Sequence, residues 1–157
     1  MMKPTNNRVE GSPGDSTMRN GFLRMAAEEG HVPAMYKLAL QCGDPSERRR
    51  WLREAAHKGY APAMYALSLE CRKLNLRHYW LHRAAEEGHL GAMYTLGVEY
   101  GDPKEKRHWL TLAAEGGHIP AMYELGLSCN DPRERDRWLN EAARNGWQAA
   151  MVELCDR

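Results

Sequence analysis

Ala34-Met35-Tyr36, Ala63-Met64-Tyr65, Ala92-Met93-Tyr94 and Ala121-Met122-Tyr123 carry one tripeptide, each copy 29 residues after the last. The interval holds elsewhere. Gly30, Gly59, Gly88, Gly117 and Gly146 follow it, as do Trp51, Trp80, Trp109 and Trp138, with Phe22 one step earlier. A fixed period between about 20 and 50 residues marks a supersecondary unit that cannot bury its apolar face alone and must stack on its neighbours. The reading is all-α: a right-handed α-solenoid of stacked antiparallel helix pairs.

Within one period two helical patterns flank a turn. Gly91 to Tyr100 reads as the first helix, Gly101-Asp102-Pro103 as the turn and Lys104 to Glu115 as the second helix. Ala34, Met35, Leu38, Ala39 and Cys42 recur at helical spacing on one face, with Lys37 and Gln41 opposite. Asp44, Asp102 and Asp131 are N-caps, Pro45, Pro103 and Pro132 suit the first helical position, and Glu47, Glu105 and Glu134 complete capping boxes. The second repeat has Arg72-Lys73-Leu74-Asn75-Leu76 there instead, which predicts a second helix that starts late or frays. Each second helix places a tryptophan and paired alanines on one face and ends at a glycine of the 29-residue series, a left-handed C-cap. Trp51, Trp80, Trp109 and Trp138, with Gly59, Gly88, Gly117 and Gly146, are thus the expected structural set.

This layout divides the chain into an expected disordered tail over 1–13 and one repeat domain over 14–157. The domain opens with a half-repeat at 14–30, continues through units 31–59, 60–88, 89–117 and 118–146, and closes with a half-repeat at 147–157.

Composition narrows the function. Lys plus Arg number 22 and Asp plus Glu 21, for a net charge of +1. No global field therefore draws the chain to nucleic acid or an anionic membrane. No stretch reaches the length of an apolar membrane span, and Met1 to Thr17 lacks the apolar core of a signal peptide, so the expected compartment is the cytoplasm. Cys42, Cys71 and Cys129 share one repeat position, too far apart for disulfides or a shared zinc, and read as small reduced core residues.

The pattern Ala-x-x-x-Leu-Gly of Ala92 to Gly97, followed by Trp-Leu-x-x-Ala-Ala-x-x-Gly-His of Trp109 to His118, resembles the Sel-one-like repeat, a subclass of tetratricopeptide-like helical repeats. The resemblance covers roughly residues 14 to 157. It implies an adaptor that assembles other proteins, as members do in bacterial virulence, envelope and developmental systems and in eukaryotic quality control. Two departures stand out: the 29-residue unit is short for the family, with Gly-Asp-Pro in place of a Gly-rich loop, and Arg48, Arg77, Lys106 and Arg135 occupy a position where the family commonly has a small residue.

By that resemblance the first helices line a concave binding face. The residues expected there are Tyr36, Lys37, Leu40, Tyr65, Glu70, Tyr94, Thr95, Glu99, Tyr123 and Glu124. The tyrosine row is constant while its neighbours vary, as suits a groove that holds an extended segment or helix; the other reading is that tyrosine packs the edge of each hairpin. The methionine row, Met35, Met64, Met93, Met122 and Met151, reads as gap-filling core. The basic row beginning at Arg19 and Arg48 suggests a phosphate track, but nearby Glu47, Glu54, Asp102 and Glu105 favour intramolecular pairing.

No catalytic constellation, phosphate loop or cofactor motif is present, and nearly every residue has a counterpart 29 positions away, so no enzyme is expected. His78 and His82 lie four apart on one helix face, yet no third ligand sits at a matching position, and no metal site is expected. The expected partner is a protein or peptide, not nucleic acid, membrane or a small-molecule substrate. Alternatives are self-association into a homo-oligomer through Met151, Val152 and Leu154 of the final half-repeat, or a role as an immunity or effector-masking protein.

Overall fold

A computed structural model describes residues 13–155, with side chains from position 20 onward. Ten α-helices and no strands occur among these residues. They fall into two compact units, Met1–Lys58 and Gly59–Arg157. The first holds α1 (Pro13–Glu28), α2 (Val32–Gln41) and α3 (Pro45–His57). The second holds α4 (Ala61–Glu70), α5 (Leu74–Glu86), α6 (Leu90–Glu99), α7 (Pro103–Glu115), α8 (Ile119–Ser128), α9 (Pro132–Arg144) and α10 (Gln148–Cys155). Within each unit every helix packs on its sequence neighbours. The tail expected over 1–13 lies outside the described residues, except that Pro13 is already helical.

The short period has a local explanation. Helices of ten and thirteen residues alternate, and three residues follow each. At the end of α5, Gly88 has φ +85°; its N–H donates to Ala85 O at 2.9 Å, and His89 N–H donates to Ala84 O at 2.9 Å. This is the paired bonding of a left-handed glycine stop. His89 is at the same time the N-cap of α6, where its Nδ1 accepts from Ala92 N–H at 3.1 Å. One residue closes a helix and opens the next, so a three-residue connection suffices.

The turns before the second helices are capped by side chains. Asp44 accepts from the amides of Ser46 and Glu47, Asp102 from those of Lys104 and Glu105, and Asp131 from that of Arg133. Lys73 makes no such bond. Even so, α5 begins at Leu74, the counterpart of the prolines that open α3, α7 and α9, and it has the same thirteen residues. The expectation of a late start is therefore corrected. A short helix owes most of its stability to the packing of its apolar face, which on α5 is Leu81, Ala84 and Ala85.

Leu, Met and Ala side chains form the cores. In the first unit Met35, Leu38, Ala39, Trp51 and Leu52 are buried, and in the second Met64, Leu67, Leu81, Leu96, Leu110, Met122, Leu125 and Leu139 are. The paired helices approach closely at Gly97 and Gly126: a Cβ at Gly97 would sit 2.6 Å from Leu110 Cγ, and one at Gly126 would sit 2.9 Å from Leu139 Cγ. Their counterparts in the earlier repeats are Ala39 and Ser68, both buried.

The tryptophan row is uneven in depth. Trp51 and Trp138 are buried, whereas Trp80 and Trp109 are only half-buried. Phe22, their counterpart in α1, is 69% exposed. Cys129 is buried, Cys42 and Cys71 are half-buried helix C-caps, and all four cysteines are free.

Candidate functional site

The face of each first helix that turns away from the core has two components. A tyrosine comes first, and an aliphatic side chain follows one helical turn later: Tyr36 and Leu40 on α2, Tyr65 and Leu69 on α4, Tyr94 and Val98 on α6, Tyr123 and Leu127 on α8. Residues four apart on a helix share a face. The aliphatic members are 60%, 59%, 42% and 45% exposed in that order. Isolated exposed apolar residues are ordinary; a set at one repeat position is a surface feature. Leu40 alone among them is expected on this face from the sequence. Leu69, Val98 and Leu127 lie at the same 29-residue interval, and asking which residue follows each tyrosine by four finds them.

The tyrosines are half-buried. In the second unit each ring packs on the residue that opens the next first helix: Tyr65 stacks on His89 with centroids 4.5 Å apart, Tyr94 on His118 at 4.8 Å, and Tyr123 near Trp147 at 6.2 Å. The rings thus join one repeat to the next while the aliphatic tips stay exposed. Burial, and secondarily the carboxylate of Glu124, raise the Tyr94 hydroxyl above the usual tyrosine range.

Other expected members of this face fall in different surroundings. Lys37 is exposed, while Glu70 and Glu124 are half-buried. Glu99 is engaged by Arg77, whose Nη2 donates to Glu99 Oε2 at 2.8 Å. Thr95 does not line the face: it is 8% exposed, and its Oγ1 donates to Gly91 O at 2.8 Å. Its short hydroxyl satisfies itself on its own helix, so the side chain packs inward. Beside Val98 a groove opens that is edged by Lys104, Lys106 and Arg107 on α7 and by Glu124 on α8.

The basic row turns largely onto the protein itself. Besides Arg77 on Glu99, Lys106 Nζ donates to Val98 O at 3.4 Å. Arg107, one position on, pairs with Glu134 at 2.7 Å, and Arg24 with Glu47 at 2.8 Å in the first unit. These pairs are exposed and each contributes little to stability.

Two histidines at helix starts, His89 and His118, carry a pH dependence. Burial holds the His89 imidazole below its usual range, with repulsion from His118 adding to the effect, and burial does the same to His118. An unfolded imidazole titrates near about 6.5. Because the folded values are lower, the unfolded chain binds more protons as the solution is acidified; the stabilisation is complete above about pH 6.5 and is lost as pH falls through the folded values. Protonation of His89 also removes the Nδ1 lone pair that caps α6. The urea midpoint is therefore expected to be flat above neutrality and to fall below it. His89→Asn, which keeps a capping side chain but does not titrate, should reduce that slope. An unchanged slope in the variant would contradict the assignment.

Among the described residues no three His, Cys, Asp or Glu side chains gather as a metal-binding group, and no helix is long and apolar enough to cross a membrane.

Comparison with known proteins returns structural likeness. No protein-family model matches the sequence, and no curated protein matches it. A Sel1 repeat protein from Oxalobacter formigenes superposes with a TM-score of 0.72 at 25% identity over 85% of this chain. A protective antigen of uropathogenic Escherichia coli strains, described as displaying an SLR fold, superposes with a TM-score of 0.77 at 22% identity over 88% of this chain. This chain spans 64% of the first of these proteins and 36% of the second.

Proposed function

The chain has the Sel1-like repeat fold, and on that premise we propose that it is a non-enzymatic protein-interaction module whose first helices bind a protein or peptide partner. The observation that carries this reading is the exposed aliphatic set Leu69, Val98 and Leu127 of the second unit, each one helical turn after a tyrosine packed on the residue that opens the next first helix, with Leu40 at the same repeat position in the first unit. Binding surfaces draw most of their affinity from a few well-packed anchors, tyrosine prominent among them, ringed by contacts that exclude water. Tyrosines already packed against the next repeat lose little further freedom on binding, which favours affinity. Exposed Lys104, at the edge of the groove beside Val98, adds a place for an acidic group of the partner.

Repetition supports a surface over a pocket. The same pair of side chains recurs on successive first helices, whereas a reaction centre needs one unique constellation. Site-specific photo-crosslinking tests the assignment. A crosslinker placed at Leu69 or Leu127 is expected to capture a partner, whereas one at Arg83 or Asn140, exposed on second helices, is not. Capture from the second helices alone would refute the choice of face.

A further inference from the structure

His78 and His82 break the repeat. Their counterparts are Arg49 and Arg53, Arg107 and Thr111, and Asp136 and Asn140, so the histidine pair exists on α5 alone. The two side chains converge, with Nε2 of His78 and Nε2 of His82 3.1 Å apart. Aromatic rings set their orientations: Tyr100 lies 4.9 Å from the His78 ring, and Trp109 lies edge-on to His82 at 5.7 Å.

We propose that His78 and His82 form a two-point clip for one borderline divalent transition-metal ion, Zn2+ or Ni2+. Two imidazole nitrogens each about 2.0–2.1 Å from one metal, with an angle between about 95° and 109° at the ion, stand roughly 3.0–3.4 Å apart. The observed separation of 3.1 Å falls in that range. Packing that fixes ring orientation does for these ligands what outer-shell partners do in dedicated sites. Glu86 and Glu105 are close enough to act electrostatically on His82, so the charge of the ion meets carboxylates and not only cations.

No third protein ligand among the described residues matches the pair, and the sequence alone therefore predicts no site. Two ligands from one helical turn need no third, since water completes the shell, and the affinity is correspondingly below that of a closed structural site. The clip also acts where the fold lacks support. The Lys73 side chain does not cap the N-terminus of α5, and a metal bridging residues 78 and 82 locks the turn that follows.

The test uses the untagged 157-residue chain at about pH 7.5, above the ordinary imidazole range, titrated with NiCl2 or ZnCl2 in a calorimeter and followed by thermal melting. One ion per chain is expected, with the melting temperature raised by about 3 °C or more when free metal exceeds its dissociation constant tenfold. His82→Gln should abolish both signals. Because His82 packs on Trp109, His78→Arg supplies a second variant: arginine already occupies that position in two other repeats, at Arg49 and Arg107, and the change should abolish binding while the helical circular dichroism stays intact. His57→Gln and His108→Gln, at exposed positions, should leave binding unchanged. Absence of heat and melting shift in the wild-type chain would overturn the proposal, as would binding that survives His78→Arg; the contact would then be a hydrogen bond between two neutral imidazoles.

Discussion

Trp138→Ala is expected to lower stability by about 3–5 kcal/mol, the range for truncating a large aromatic core residue. Trp138 is 8% exposed and belongs to a core that includes Leu110, Met122, Leu125, Cys129, Leu139 and Ala142. Its removal leaves a cavity that the short, densely packed helices α8 and α9 have little freedom to close. Trp109→Ala should cost distinctly less, because Trp109 is only half-buried. In a linear array each repeat leans on its neighbours alone, so the damage should also be local. Amides of α8, α9 and α10 are expected to exchange faster in the variant while those of α4 and α5 change little. Equal losses for the two substitutions, or uniform acceleration across α4 to α10, would show that depth in the tryptophan row does not govern stability here.

Much of this architecture is legible in the sequence because each signal is local and repeated. Ala-Met-Tyr, Asp-Pro-x-Glu and the glycine series specify a helix face, a helix start and a helix stop through short-range chemistry, and their common interval implies that the units stack. Depth is a different matter. Trp51 and Trp138 occupy the same repeat position as Trp80 and Trp109, yet only the first two are buried, and the difference arises from neighbours that a periodicity does not describe. Thr95 was expected outward because its counterpart Lys37 is outward; a threonine can bond its own helix and turn in, whereas a lysine cannot. The start of α5 keeps the repeat register although no side chain caps it and Leu74 and Leu76 of its first turn are exposed. The capping role of His89 is hidden because histidine lies outside the Ser, Thr, Asp and Asn set that usually signals a cap.

The candidate site was half visible. The tyrosine row is constant and draws attention, but the structure shows those rings half-buried on His89, His118 and Trp147 in the second unit. The aliphatic row varies between Leu and Val and carries no motif, yet it supplies the exposed apolar tips. Charge at these tips should leave the fold nearly untouched, since surface substitutions away from special features usually stay within about 0.5 kcal/mol.

Binding should respond very differently to the same change. A buried anchor in an interface is worth about 2 kcal/mol or more, and a carboxylate placed there adds a desolvation cost without a partner. Leu69→Glu combined with Leu127→Glu is therefore expected to weaken partner binding by about 100-fold or more. The direct measurement is affinity capture from the lysate of the source organism, comparing the wild-type chain, this double variant and a Tyr79→Glu control on the exposed face of α5, with the recovered proteins quantified by mass spectrometry. A protein retained by the wild type and the control but lost from the double variant, all three with matching melting temperatures, is the result that the first-helix assignment predicts. A partner that the double variant retains in full, or that only the Tyr79→Glu chain loses, would contradict it.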